Sequence, residues 1–176
     1  MPSVFTHPAV PLAAALALGS EVLPWRLVAV GAALSLLPDL DVLAFRLGVP
    51  YGADFGHRGA SHSLALAAAL STVFALFHRR MGVPFARAWL FLVACAASHA
   101  VMDAFTDGGR GVALFWPWSA ERFFAALRPI EAAPLASSRF FSGAGLRVLF
   151  SELLWVWLPL LSAAALWRAL SSRRRA

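Results

Sequence analysis

The chain has 176 residues, of which 60% are hydrophobic and only 14% charged, with a mean hydropathy of +0.72. That is room for one domain (1–176) and too much apolar surface for a soluble one, where about 25% of residues are charged. The 15 basic residues against 9 acids leave a net charge of +6, but all are arginines set at the ends of apolar runs, which excludes nucleic acid as a main partner and points to membrane interfaces.

The predicted elements follow in chain order. The stretch before the first apolar run lacks the basic region of a cleaved leader, and His7 precedes that run directly. The first run, Ala9–Leu18, and the second, Val22–Leu37, are short against the roughly 20 residues of a bilayer span. They predict a tight or tilted hairpin. The third run, Leu64–Phe77, and the fourth, Phe85–Met102, reach span length with their flanks. The fifth, Leu146–Leu170, qualifies outright. Ala and Leu dominate, which favours helix, and the alternation of a membrane barrel is missing. The expected fold is all-α: an integral membrane bundle of about five apolar helices. Ala44–Gly59 and Thr106–Gly145 read as ordered loops or short interfacial helices, with the interfacial anchor LFWPWS at Leu114–Ser119. Cys95, the single cysteine, lies in an apolar run and reads as buried and structural. Residues 172–176, with Arg173–Arg175, read as a basic cytoplasmic tail.

If the helices alternate in direction, the unusual polar residues gather at one end. These are His7, the acids of PDLDV (Pro38–Val42), the histidines of GHRGASHS (Gly56–Ser63), and His99 and Asp103 of SHAVMDAFTDGG (Ser98–Gly109). His78 goes to the other end with Arg79 and Arg80, as an ordinary loop histidine. Taken singly, most have a bland reading. Asp39 and Asp41 suit a turn after Pro38, His57 an interface, and His62 a helix start between the capping residues Ser61 and Ser63. His99 and Asp103 are harder to dismiss. They are four apart, share a helix face and end an apolar helix, where ionisable groups are costly.

Jointly, close carboxylates repel one another unless a cation neutralises them, and the chain contains no Lys. A divalent metal does this directly. Imidazole with carboxylate suits zinc first, manganese or iron as alternatives, in one or two ions. Mixed ligation with an open position suits activation of water.

The same three stretches, PDLD, HRGASHS and SHAVMDAFTDGG, resemble the signature of the YdjM-like family of membrane-bound metal-dependent hydrolases. That family is distantly similar to zinc-dependent phospholipase C and single-strand nucleases. The resemblance runs from Thr6–His7 to Pro117–Trp118. It implies a phospholipase C-like helical core and a set of metal ligands. His7 would be the N-terminal histidine ligand and Asp39 or Asp41 the acidic one, with Asp41 bridging a pair of ions. His62 would be a ligand, joined by His57 as ligand or acid–base group, and His99 and Asp103 would be the helix pair. Asp41 and His62 are favoured as direct ligands, ahead of Asp39 and His57. The chain begins Met-Pro-Ser and has no second histidine-rich helix after Asp103, which departs from a three-zinc pattern.

The implied chemistry is phosphoester hydrolysis by metal-activated water. The catalytic candidates are Asp39, His57 and Arg58. Asp39 or Asp107 would accept the proton of water, and Arg58 would clamp a phosphate. Arg110, Arg122 and Arg128 read as headgroup contacts, and Ser61 and Thr106 as supports for ligands. Membrane lipids are the expected partners, and the substrate is an amphiphilic phosphoester such as a phospholipid or polyprenyl phosphate.

The end away from the site carries Arg26, Arg79, Arg80, Arg168 and Arg173–Arg175 against Glu21. The positive-inside rule then places the C-terminus in the cytoplasm and the site outward, in a bacterial or archaeal inner (plasma) membrane. Two other function classes stay open. One is a metal transporter or metal-binding regulator, which should hold its ligands near mid-membrane. The other is a structural membrane protein whose polar cluster is only a hydrogen-bond network.

Overall fold

The protein is described from a computed structural model covering residues 1–134, 140–141 and 143–173. Arg174–Ala176, most of the basic tail, lie outside the described residues. Six helices appear among those residues, and no sheet. They are α1 (Ala9–Leu18), α2 (Trp25–Leu36), α3 (Leu64–Ala75), α4 (His78–Met81), α5 (Phe85–Ala104) and α6 (Gly143–Arg173). Pro24 and Pro84 immediately precede α2 and α5. The Ser63 hydroxyl caps α3 by accepting from the Leu66 amide at 3.1 Å.

Pro38 shapes the end of α2. It has no N–H to donate, so the regular ladder cannot pass through it. The chain continues from Leu37 to Leu47 as a 3₁₀ helix, and the whole apolar segment becomes Trp25–Leu47, 23 residues. Among the described residues, three segments are long and apolar enough to cross a bilayer: Trp25–Leu47, Phe85–Ala104 and Gly143–Arg173. This corrects two expected lengths. The second run is a full span rather than half a hairpin. The third, α3, has 12 residues and rises only about 18 Å at 1.5 Å per residue, against ~30 Å of hydrocarbon. It ends because the chain turns after Ala75 into the four-residue α4.

Helix α5 is the centre. It packs against α2 and α3, while α1 lies along α6 and touches α2 and α5. Leu27 and Leu34 of α2, Ala67 and Ala75 of α3, and Ala88, Leu92 and Ala96 of α5 form one buried core. Ala9, Met102, Ile130 and Val156 form a second, joining α1 and α6 to the end of α5. Side chains that point outward are apolar: Val73, Leu76, Leu90, Phe150, Leu166 and Trp167 are each more than half exposed. The buried set contains four of the five histidines. Such an inside-out distribution suits lipid surroundings.

Contacts between remote segments give the path. The Arg168 guanidinium reaches the Leu16 carbonyl at 3.2 Å, while Glu152 bonds to Ser3, so α1 and α6 run the same way. Arg26 donates to the Arg80 carbonyl at 3.2 Å at the far end. The starts of α1 and α3 and the ends of α2 and α5 therefore meet at the other end.

Candidate metal centre

Five side chains from four separate segments converge there. His7 stands before α1, Asp39 in the first turn of the 3₁₀ helix, and His62 in the short turn Ala60–His62 that leads into α3. His99 and Asp103 lie one turn apart near the end of α5. His7 Nε2 is 3.3 Å from Asp39 Oδ2 and 4.0 Å from Asp103 Oδ1. His62 Nε2 is 3.7 Å from Asp39 Oδ1 and 3.4 Å from Asp103 Oδ2. His99 Nε2 is 3.4 Å from Asp39 Oδ1 and 2.9 Å from His62 Nε2. Each carboxylate thus turns one oxygen towards His7 and the other towards His62. All five residues are buried except Asp39, whose side chain is 11% exposed.

The hydrogen bonds settle which nitrogens face the cluster. His99 Nδ1 is 2.7 Å from the Ser35 carbonyl, which only accepts, so Nδ1 carries the proton and Nε2 is left with a lone pair. Ser61 Oγ donates to Asp41 Oδ2 at 2.5 Å and accepts from His62 Nδ1 at 2.9 Å, which likewise leaves His62 Nε2 pointing inward. Two inward lone pairs 2.9 Å apart require a cation or a proton between them. Burial pushes the His62 imidazolium down, but the neighbouring carboxylates of Asp103, Asp39 and Asp41 outweigh it and raise its pKa to about 10. The cluster draws positive charge.

Six buried atoms here have no hydrogen-bond partner: both ring nitrogens of His7 and both carboxylate oxygens of Asp39 and of Asp103. Buried polar atoms are rarely left so. Asp39, His62, His99 and Asp103 each offer one ligand atom within 4.8 Å of the others, the spacing of groups that hold one ion. The donor set of imidazole nitrogens and carboxylate oxygens fits a divalent metal of the zinc, manganese or iron kind.

Asp41 plays a different part from Asp39. A 3₁₀ helix turns about 120° per residue, so residues two apart face different ways. Asp41 Oδ1 accepts from His57 Nδ1 at 2.6 Å, and Oδ2 accepts from Ser61 Oγ and from the Arg58 amide at 3.1 Å. Asp41, His57 and His62 also lie close enough to hold an ion, but the facing atoms are already bonded to protein. Asp39 and Asp41 thus belong to two adjoining groups that share His62, and His57 belongs to the group of Asp41.

Arg58 is also not where it was expected. Its backbone is left-handed, φ 63°, which is uncommon outside glycine, and its side chain is completely buried. The guanidinium donates to the Gly108 carbonyl and to Thr106 Oγ1, both at 2.8 Å, and its Nε lies 2.8 Å from Asp103 Oδ2. It is a buried strut that pairs with Asp103 and ties Thr106 and Gly108 to it. Close approach makes Gly59 necessary beside it, because a Cβ there would collide with the Asp54 carbonyl.

The remaining candidates are placed elsewhere. Asp107 Oδ1 accepts from the Ala132 amide at 2.8 Å, on the loop surface, not on a water at the cluster. Arg122 donates to the carbonyls of His57 and Ala53 at 2.9 and 3.0 Å, stapling two loops instead of meeting headgroups. Arg110 and Arg128 lie over the rings of Tyr51 and Phe124. His78 Nδ1 donates to the Val83 carbonyl at 2.8 Å. Sequence reasoning overlooked Ser3, Thr6 and Glu152. The available signal was Glu152 itself, an acid within an apolar run.

A family model described as YdjM inner membrane protein matches residues 1–176. The chain belongs to that family. It is 48% identical over 171 residues to the inner membrane protein YbcI of Escherichia coli (strain K12), covering 96% of this chain and 99% of that one. No solved structure matches it. The protein is thus an inner membrane protein with several candidate spans and a buried His/Asp cluster that could hold metal.

Proposed function

We propose that this protein is a membrane-embedded metal-dependent hydrolase, a phosphoesterase acting on an amphiphilic or lipid-linked phosphoester. The observation that carries this reading is the convergence of Asp39, His62, His99 and Asp103, each with a ligand atom within 4.8 Å of the others, with His7 beside them and no hydrogen bond to the Asp39 carboxylate. A divalent metal supplies, at such a site, an acidified water and charge for the developing anion. The residues divide the remaining work. Asp39, Asp103, His62, His99 and His7 would hold one or two ions. Asp39, the most accessible of them, is the proton acceptor. Asp41 aims His57 and, through Ser61, His62. Arg58 balances Asp103.

The surroundings support an amphiphilic substrate. Phe5, Phe55 and Trp118 are each more than 60% exposed on the loops that carry the site. The far end presents exposed Arg26, Arg79, Arg80 and Arg168, and this basic end is assigned to the cytoplasm, with the site outward. A phospholipase C-like core belongs to the same proposal and rests on the shared motifs.

Burial favours a second reading, metal binding without turnover. His7, His62, His99 and Asp103 are wholly enclosed, and both carboxylate oxygens of Asp39 are buried as well. The deciding experiment is hydrolysis of a generic phosphodiester, a phospholipid and a polyprenyl phosphate by detergent-purified protein with added Zn²⁺ or Mn²⁺. Turnover that Asp39→Asn abolishes supports the hydrolase. Bound metal with no turnover on any of the three supports the second reading.

A further inference from the structure

Glu152 is the tenth residue of α6, 1% exposed inside an apolar segment. An ionisable group in a span is expensive and seldom idle. Its carboxylate collects donors from the segment before α1: the Ser3 amide, Ser3 Oγ at 2.7 Å and Thr6 Oγ1 at 2.8 Å. The Thr6 hydroxyl accepts in turn from Trp157 Nε1 at 3.1 Å.

The helix is built for this double grip. Glu152 and Trp157 are five residues apart, which in an α-helix turns them roughly 140° from each other. Here Leu153–Trp157 is a π-helical turn, closed by the Leu158 amide on the Leu153 carbonyl. Bonding five residues back stacks Glu152 and Trp157 on one side, where both reach Thr6.

Thr6 adjoins His7, and His7 needs outside help. A metal-facing imidazole is normally fixed by a hydrogen bond at its other nitrogen. His99 has one to Ser35, and His62 one to Ser61. His7 has none at either nitrogen, and its ring stacks on His99 at 3.8 Å. Its direction therefore comes from its backbone, and that backbone is held from α6.

We propose that Glu152 is a positioning residue of the metal centre: by clamping Ser3 and Thr6 it aims His7 at Asp39 and Asp103. The proposal rests on the metal reading above. It predicts that Glu152→Gln, which keeps size but replaces an acceptor oxygen with an N–H₂ donor, acts in the same direction as His7→Ala.

The experiment measures Zn²⁺ affinity by chelator competition for the parent, Glu152→Gln, His7→Ala and the double variant. Backbone hydrogen exchange is followed in parallel without metal. Glu152→Gln should bind Zn²⁺ about 10–100-fold more weakly, and His7→Ala at least as much more weakly. The double should be no weaker than His7→Ala alone. Exchange should rise over residues 3–9 and stay unaltered over α5. Unchanged affinity in Glu152→Gln, losses that add in full, or exchange that rises equally in α5 would overturn the proposal. If Glu152→Gln does not fold, Ser3→Ala and Trp157→Phe loosen the clamp from its other partners, with the same decisive pattern at smaller amplitude. If the parent binds no Zn²⁺, the metal reading falls and this proposal falls with it; a parent that binds Zn²⁺ beside an unaffected Glu152→Gln overturns the proposal alone.

Discussion

Two histidine–aspartate groups lie side by side in this protein and share His62, but they differ in one respect. Around Asp41 both oxygens are engaged by protein donors, from His57, Ser61 and the Arg58 amide. Around Asp39 the carboxylate oxygens have no hydrogen-bond donor, and Asp103 is paired on one oxygen with Arg58 Nε at 2.8 Å. Residue type and spacing are alike in the two groups. What distinguishes the two groups is how far their lone pairs are already filled by protein.

The comparison can be broken most severely at Arg58, which links the groups through its amide to Asp41 and its guanidinium to Asp103. Arg58→Met should leave Asp103 buried and uncompensated and cost about 3–5 kcal/mol of stability. Chemical denaturation in detergent would read this. A stable Arg58→Met protein with only weakened substrate binding would restore the phosphate clamp.

Asp39→Asn sharpens the contrast. Metal affinity should fall beyond the roughly 100-fold typical of a supporting residue, while the metal-free protein keeps its melting temperature, because Asp39 accepts no hydrogen bond that the change would break. Asp41→Asn should do the reverse in proportion. Its metal affinity should drop about 10–100-fold, and the metal-free protein should lose about 1–3 kcal/mol as His57 and Ser61 lose their acceptor. Isothermal titration and thermal melts separate the two.

The smallest effect is expected at Gly109. Its φ of +91° favours glycine, and a Cβ would lie 2.7 Å from both Arg58 Nη1 and Tyr51 Oη. Gly109→Ala should cost about 1–3 kcal/mol of stability and weaken metal binding only through Arg58. Equal metal affinity in the variant and the parent would separate the Arg58 strut from the cluster.

Much of this was legible in the residues. Apolar runs marked the helices, and Ala9–Leu18 matches α1 end to end. Polar residues at alternate ends of those runs announced that His7, Asp39, His62, His99 and Asp103 would meet, because an alternating bundle leaves them one end to share. The finer assignment was not legible, for local reasons. Asp39 and Asp41 are separated by a 3₁₀ turn that Pro38 imposes, and its phase decides which acid faces the cluster. Arg58 points inward through a left-handed backbone conformation that its own residue type does not advertise. The clamp on His7 depends on Glu152 and a π turn about 145 residues further along the chain, a distance that no local pattern spans.

The most direct test of the central claim is elemental analysis of the detergent-purified protein beside Asp39→Asn, Asp41→Asn and a His99→Ala/Asp103→Ala pair. One or two equivalents of zinc, manganese or iron are predicted in the parent, little in Asp39→Asn or the pair, and a recoverable fraction in Asp41→Asn when metal is supplied in excess. A parent without metal, or a content unchanged by Asp39→Asn and by the pair, would contradict it.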